Sequence, residues 1–256
     1  MARSRRLAHW LTGPARRTAL PILRGNGRGL RVSFGESNLS RVVRGAESQV
    51  EDKLLEIVRP GDIVYDLGAN IGWYSLLAAR RVGPTGQVIA FEPAIENAAH
   101  LQRNSASNGF ANIVVVPAAV SDRDGWAMFL NRGSLQGRLD KPDDDIQAKR
   151  LAKQVGKSRG RTPVPMVTLD AWIAEAEQMP PSLIKIDIEG AEIGALGGMK
   201  STLRTAKPAL IIELHGTRDA ILDLLDQSDY EYEAIESDLP MREAPRGVHV
   251  LARART

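Results

Sequence analysis

Residues Ile63 to Gly72 read Ile-Val-Tyr-Asp-Leu-Gly-Ala-Asn-Ile-Gly, and Ala90-Phe91-Glu92-Pro93 follows one helix-length later. An apolar run closes on an acid, passes through a glycine-bearing turn and restarts with helical spacing. A second apolar run then stops at a second acid. This is the pattern of a βαβ unit that holds a nucleoside. The glycines let the backbone approach a ligand, and the acid ending the second strand can accept the ribose hydroxyls.

The details narrow the ligand. Gly68 and Gly72 are spaced G-x-x-x-G, not G-x-G-x-x-G as in dinucleotide enzymes, and Asp66 stands inside the motif where a pyrophosphate would be repelled. A carboxylate there favours an ammonium or a sulfonium. A structural reading stays open: Asp66 can cap the turn, the glycines can serve close packing, and Glu92 can be a surface residue before Pro93. Trp73 and Tyr74, at the helix start, suit either a pocket wall or the core.

Strands and helices alternate around this unit. The spacing predicts a helix over 50–58, strand 62–67, helix 72–81, strand 87–92, helix 94–108 and strand 112–117. Near-continuous runs such as Ile113-Val114-Val115-Val116 suit strands of a parallel sheet buried on both faces. The rhythm breaks between 121 and 163, with a short strand at 126–130 and a charged, glycine-rich stretch over 131–162 that holds a helix-like piece at 146–155. An irregular insertion of this length is a lid or binding loop in most compact domains, so substrate selection is placed here. Alternation resumes with strand 164–168, helix 169–177, strand 183–188, helix 191–204, strand 208–214 and helix 217–227. Two late runs, 230–235 and 248–252, have no long helix between them and suit a terminal antiparallel pair.

At 256 residues the chain has room for one large α/β domain and a modest appendage, divided as a basic extension over 1–44 and a domain over 45–256. The absence of cysteine excludes disulfides and thiolate chemistry and fits a cytoplasmic location. The net charge of +3 is concentrated at the start, where Arg3, Arg5, Arg6, Arg16, Arg17, Arg24, Arg28 and Arg31 precede the first acid, Glu36. Such an arm is a solvated tail or docked helix, or else contacts nucleic acid or an anionic membrane surface. No apolar stretch reaches the length of a membrane span, and no signal-peptide core follows the arginines.

Two further segments carry chemistry. In Leu183-Ile184-Lys185-Ile186-Asp187-Ile188-Glu189-Gly190-Ala191-Glu192, extended geometry puts Lys185, Asp187 and Glu189 on one face. Charges on a buried strand must be paired or stand at its end, so Asp187 and Glu189 are expected at the carboxyl edge beside the crevice. The alternatives are a Lys185–Asp187 ion pair and a Glu189 or Glu192 that complements the next helix dipole. Ile211-Ile212-Glu213-Leu214-His215-Gly216 ends in the same manner. If the two strands are neighbours, Glu213 and His215 meet Asp187 and Glu189. Asp187, Glu213 and His215 then suit either a divalent metal or a metal-free acid–base set, and the spacing is no diagnostic metal signature.

Taken together, Asp66-Leu67-Gly68-Ala69-Asn70-Ile71-Gly72, Phe91-Glu92-Pro93, Thr168-Leu169-Asp170, the 184–192 segment and Glu213-Leu214-His215-Gly216 resemble the FkbM family of S-adenosylmethionine-dependent methyltransferases over residues 45–216. The resemblance implies the class I methyltransferase fold, a mostly parallel seven-stranded sheet with helices on both faces. It also implies O-methylation of sugars, glycans or polyketide-type metabolites. The cofactor would be held by Asp66, Gly68, Asn70, Gly72 and Glu92, with Asp122 at the adenine edge. Asp187, Glu189, His215 and Glu213 are the candidates for activating an acceptor hydroxyl, with Lys185 as an orienting partner. An RNA methyltransferase using the arginine arm is the alternative, and a cofactor-binding module without catalysis is weaker because the acidic strand ends are intact.

Overall fold

The computed structural model describes residues 19–33, 48–131, 137–139, 161–245 and 247–255. Arg3, Arg5, Arg6, Arg16 and Arg17, and the helix-like piece at 146–155, lie outside the described residues. In chain order the elements are strands β1 (Leu20–Pro21) and β2 (Arg31–Val32), helix α1 (Ser48–Ile57), β3 (Ile63–Leu67), α2 (Trp73–Val82), β4 (Gln87–Phe91), α3 (Ile95–Ser107), β5 (Ile113–Val116), β6 (Ala119–Val120), β7 (Gly125–Asn131) and β8 (Gly137–Leu139). There follow β9 (Arg161–Val167), α4 (Leu169–Glu175), β10 (Leu183–Ile186), α5 (Glu192–Gly197), α6 (Lys200–Thr205), β11 (Ala209–Glu213), α7 (Arg218–Gln227), β12 (Tyr230–Ala234) and β13 (His249–Ala254).

Seven strands form the main sheet in the order β12-β13-β11-β10-β3-β4-β5. Six run in the same direction; β13 runs antiparallel between β11 and β12 and forms with β12 the terminal pair expected from the sequence. Both faces are covered, which is why the strands are apolar at successive positions. Tyr65, Leu67, Ile184, Ile186, Leu210 and Ile212 pack on one side with Leu196, Met199 and Leu222 from α5 to α7. Val64, Val88, Leu183 and Ile211 pack on the other with Leu54 of α1 and Ala78 and Val82 of α2. The fold is that of the class I methyltransferases, α/β with a mostly parallel sheet.

Three expectations need correction. The strand expected at 164–168 continues no parallel rhythm: β9 belongs to a separate four-stranded sheet ordered β6-β9-β7-β8. Pro163 and Pro165 pair with β7 alone, while β6 reaches only Met166 and Val167. Proline lacks the N–H that an inner strand must donate, so this stretch suits a one-sided pairing. Second, the helix expected over 191–204 is two, α5 and α6, separated at Gly198, where any Cβ would overlap the Ser121 carbonyl oxygen. Third, the described part of the basic extension is neither a free tail nor a helix. Residues 19–33 form a hairpin whose Ile22, Leu30 and Val32 pack on Ile71, Leu76 and Leu77. Asn104 of α3, fully buried, fixes its end: Oδ1 accepts from Ser33 N and Oγ, and Nδ2 donates to the Ser33 and Ile71 carbonyls.

Candidate active site

Strand register decides which side chains share the crevice. Leu67 pairs with Phe91 on one side and Ile186 on the other, and Ile186 pairs with Ile212, so β3, β4, β10 and β11 end level. β3 is the strand from which the sheet grows both ways, and the carboxyl edge at such a point is where α/β proteins bind ligands.

The first turn is built by backbone constraints. Gly68 has φ 82°, and a Cβ on it would overlap the Asp187 carbonyl oxygen; Gly72 has φ 92° and faces Leu101. Asn70 also adopts a left-handed conformation, and its own Oδ1 accepts from Ile71 N. Glu92 braces the turn: Oε2 accepts from Asn70 N and Oε1 from Ala94 N, each at 2.8 Å. Burial pushes the Glu92 carboxyl up to about 7. Oε1 also accepts from Asn97 Nδ2 at 3.5 Å, so Oε2 is the oxygen with a lone pair left for a ligand hydroxyl.

Asp66 is 2 % exposed. Its Oδ2 accepts from Ser75 Oγ at 2.5 Å, and its Oδ1 has no hydrogen-bond partner among the described residues. Burial raises its pKa, against the pull of the Lys185 ammonium. A buried carboxylate oxygen without a donor is a costly feature that a cationic ligand would relieve.

Lys185 sits beside Asp66 in register on β10, so both project from the same face. Its ammonium is 2 % exposed, donates to Asp187 Oδ2 at 3.0 Å and lies 4.5 Å above the Tyr74 ring. Burial opposes its charge, yet Asp187 and Asp66 hold its pKa above the ordinary lysine value. Tyr74 thus floors the site, whereas Trp73 turns away, donating from Nε1 to Glu51 Oε1.

The acids of the two later strands converge on His215. Its Nε2 lies 3.5 Å from Glu213 Oε1, 3.8 Å from Glu189 Oε2 and 3.9 Å from Asp187 Oδ1. Its Nδ1 bonds Glu192 Oε1 at 2.9 Å. Glu192 and Glu213 together push the imidazole up to about 10. Glu189 reaches the cluster from a left-handed turn (φ 51°), not from a strand, because β10 ends at Ile186. Burial raises its pKa. Glu213 is held well below the usual range, first by His215 and then by His249.

Sequence reasoning assigned Glu192 to the helix dipole alone and missed His249 and Glu236. Glu192 is fully buried and accepts from Gly190 N and Thr217 Oγ1 as well as meeting His215. Burial opposes its charge, but these bonds keep it below the ordinary glutamate value. His249 pairs in register with Glu213 across β11 and β13, and Glu236 Oε1 meets its Nδ1 at 2.6 Å. A charged residue inside the otherwise apolar run 248–252 was the available signal. Asp122 lies apart from the acid–imidazole cluster: it is exposed, and its Oδ1 accepts from Ser121 Oγ. Of the described arginines, Arg31 donates to the Ala19 carbonyl within its own hairpin.

Comparison with known proteins agrees with this geometry. The family model described as the methyltransferase FkbM domain matches residues 66–233. The hexuronic acid methyltransferase AglP of Haloferax volcanii is 26% identical over 179 residues, covering 70% of this chain and 66% of that protein. The 31-O-demethyl-FK506 methyltransferase FkbM of Streptomyces tacrolimicus is 29% identical over 184 residues, covering 64% of this chain and 69% of that protein. The solved FkbM structure from Methylobacillus flagellatus is 18% identical with a TM-score of 0.49, over 79% of this chain and 50% of that one. The chain thus spans about two thirds of the curated relatives' length and half of the solved structure. With the matched segment running from the acid of the first turn through the acid–imidazole cluster and into β12, the chain belongs to the FkbM methyltransferase domain family.

Proposed function

We propose that the protein is an S-adenosylmethionine-dependent O-methyltransferase whose acceptor is a hydroxyl of a sugar, glycan or polyketide-type metabolite. The observation that carries the reading is the meeting, at one sheet edge, of a nucleoside-type cradle with an unpartnered buried acid and a cluster of acids around an imidazole. The cradle suits the cofactor. Asp66 Oδ1 would receive its ammonium, Glu92 the ribose hydroxyls, and the Gly68–Gly72 turn its close backbone approach. Asn70 keeps that turn braced on Glu92. Asp122 remains a candidate for the adenine edge.

A sulfonium methyl is already activated, so the protein's task is in-line positioning, which can contribute about 7–11 kcal/mol, and removal of the hydroxyl proton, which adds about 10²–10⁴-fold. With His215 held cationic, the proton goes to a carboxylate facing it, Asp187 Oδ1 or Glu189. Lys185 keeps Asp187 in place, and His215 with Glu213 orients the acceptor. The names of AglP and FkbM, a hexuronic acid and a 31-O position, support oxygen acceptors of this class.

Calorimetry with S-adenosylhomocysteine and turnover on a panel of sugar and polyketide alcohols test the reading together. Binding that is lost in Glu92→Ala and Gly68→Val supports the cofactor site; no binding to the wild type defeats it. Normal turnover by both Asp187→Asn and His215→Ala on an accepted alcohol would sink the assignment of the chemistry.

A further inference from the structure

We infer that the outer face of the hairpin over residues 19–33 docks the protein on an anionic bilayer surface. This surface is independent of the function proposed above. Strand register sorts its side chains, with Leu20 opposite Val32 and Pro21 opposite Arg31. Successive residues of a strand point to opposite faces. Ile22, Leu30 and Val32 turn inward onto Ile71, Leu76 and Leu77, and Pro21, Leu23 and Arg31 turn outward. Leu23 is 77% exposed, more than any other large apolar side chain among the described residues. Arg24 and Arg28 stand exposed on the turn that follows it, and neither guanidinium makes a hydrogen bond or ion pair among the described residues.

A lone exposed leucine needs no explanation, but this one is held out on a turn braced from beneath. A Cβ on Gly27 would overlap the Trp73 ring, so the backbone lies directly on the indole, whose Nε1 is fixed by Glu51. Arg80 of α2 donates to the carbonyls of Asn26 and Arg28 and brings a further positive charge under the tip. Asn26 Nδ2 donates to Asp52 Oδ1 at 2.7 Å, which engages an acid beside the arginines. The turn is thus anchored by its backbone and by Asn26, while Leu23, Arg24 and Arg28 are left to face outward.

Charge and side-chain type select the partner. Residues 19–33 hold Arg24, Arg28 and Arg31 and no acid, and Arg3, Arg5, Arg6, Arg16 and Arg17 precede them in the sequence, again without an acid. Guanidiniums beside an aliphatic side chain match an anionic bilayer, where arginine meets headgroup phosphates and leucine enters the acyl boundary. A nucleic acid would be gripped with aromatic stacking platforms, and residues 19–33 contain no aromatic. A second copy of the chain would bring like charges together.

The test is sedimentation of the full-length protein with vesicles of phosphatidylcholine, alone or with about one third phosphatidylglycerol. Binding is expected on the anionic vesicles only and should weaken as salt is raised. Arg24→Glu combined with Arg28→Glu should weaken it about 25-fold or more, and Leu23→Ser about fivefold. Lys200→Glu combined with Arg204→Glu, the same charge change on α6 across the main sheet, should leave it within about twofold. All these side chains are exposed, and unchanged unfolding temperatures check that the variants fold. Leu23→Cys, in a chain with no other cysteine, takes a single nitrobenzoxadiazole label whose emission should shift to the blue on anionic vesicles. A wild type that stays in the supernatant, hairpin variants that bind like wild type, or a label that keeps its emission overturns the docking surface. Binding to an RNA duplex that survives Leu23→Ser, with no vesicle binding, overturns the bilayer and assigns the arginines to nucleic acid.

Discussion

Nδ1 of His215 and Oε1 of Glu192 lie 2.9 Å apart, joining the loop after β11 to the first turn of α5. Glu192 is fully buried, and its other oxygen accepts from Thr217 Oγ1. The imidazole is therefore aimed by a group closed off from solvent.

Glu192→Gln replaces one accepting oxygen with a donor and leaves Thr217 or His215 facing the wrong group. Urea unfolding should show a loss of about 1–3 kcal/mol. Turnover should fall about tenfold or more while S-adenosylhomocysteine affinity stays within about twofold. A loss of cofactor binding equal to the loss of turnover would mean that Glu192 acts on the whole edge and not on His215.

Gly68→Ala should be among the most damaging small substitutions in the first turn. The added Cβ overlaps the Asp187 carbonyl oxygen and is forced onto φ 82°. Left-handed strain and overpacking together cost about 2–4 kcal/mol. The backbone of Asp187 must move to make room, so turnover is expected to drop with cofactor affinity in the same variant, read by calorimetry and a fixed-acceptor assay.

Glu92 sets a pH dependence. Its folded pKa, about 7, stands above the ordinary 4.5 because of burial. The folded state therefore binds the proton more readily than the unfolded chain. The stability this group contributes is fully present below the ordinary value and is lost as pH rises through 7. Cofactor binding runs the other way, since ribose hydroxyls donate to the ionised carboxylate. S-adenosylhomocysteine affinity should rise between about pH 5.5 and about pH 8, and Glu92→Gln should flatten the profile. An unchanged slope in the variant would reassign the effect to another group.

Replacing residues 140–160 by a short glycine-serine linker separates acceptor choice from cofactor binding. β7, β8 and β9 bracket this segment in the smaller sheet, apart from the sheet that carries the crevice. S-adenosylhomocysteine affinity should stay within about threefold of wild type, a change below about 0.7 kcal/mol, while turnover on the preferred acceptor falls. Intact turnover and specificity would remove the segment from substrate selection.

Much of the sheet was legible because parallel strands advertise themselves: Ile63–Leu67 and Leu183–Ile186 are apolar enough to be buried on both faces, and each carries one charged residue, Asp66 or Lys185, a single position before its end. Asp187, Glu213 and His215 were readable as a group because adjacency of the two strands follows from the fold. What stayed hidden depended on partners distant in sequence. Glu192 reads as an ordinary first-turn helix acid until His215 is placed 23 residues on. His249 acquires meaning only when β13 inserts antiparallel beside β11. The prolines of β9 mark an exception to the parallel rhythm that alternation along the chain does not show.

Asn104 receives Ser33 from 71 residues upstream. On the ribosome, the hairpin of residues 19–33 thus emerges long before the surface that covers it. Ile22, Leu30 and Val32 stay uncovered until Ile71, Leu76 and Leu77 have been synthesised, and the hairpin is latched only once Asn104 has been added. A nascent chain paused short of that residue presents an unlatched apolar hairpin to chaperones and proteases. The same latch reaches the Ile71 carbonyl, so the hairpin and the first turn of the crevice close on one side chain.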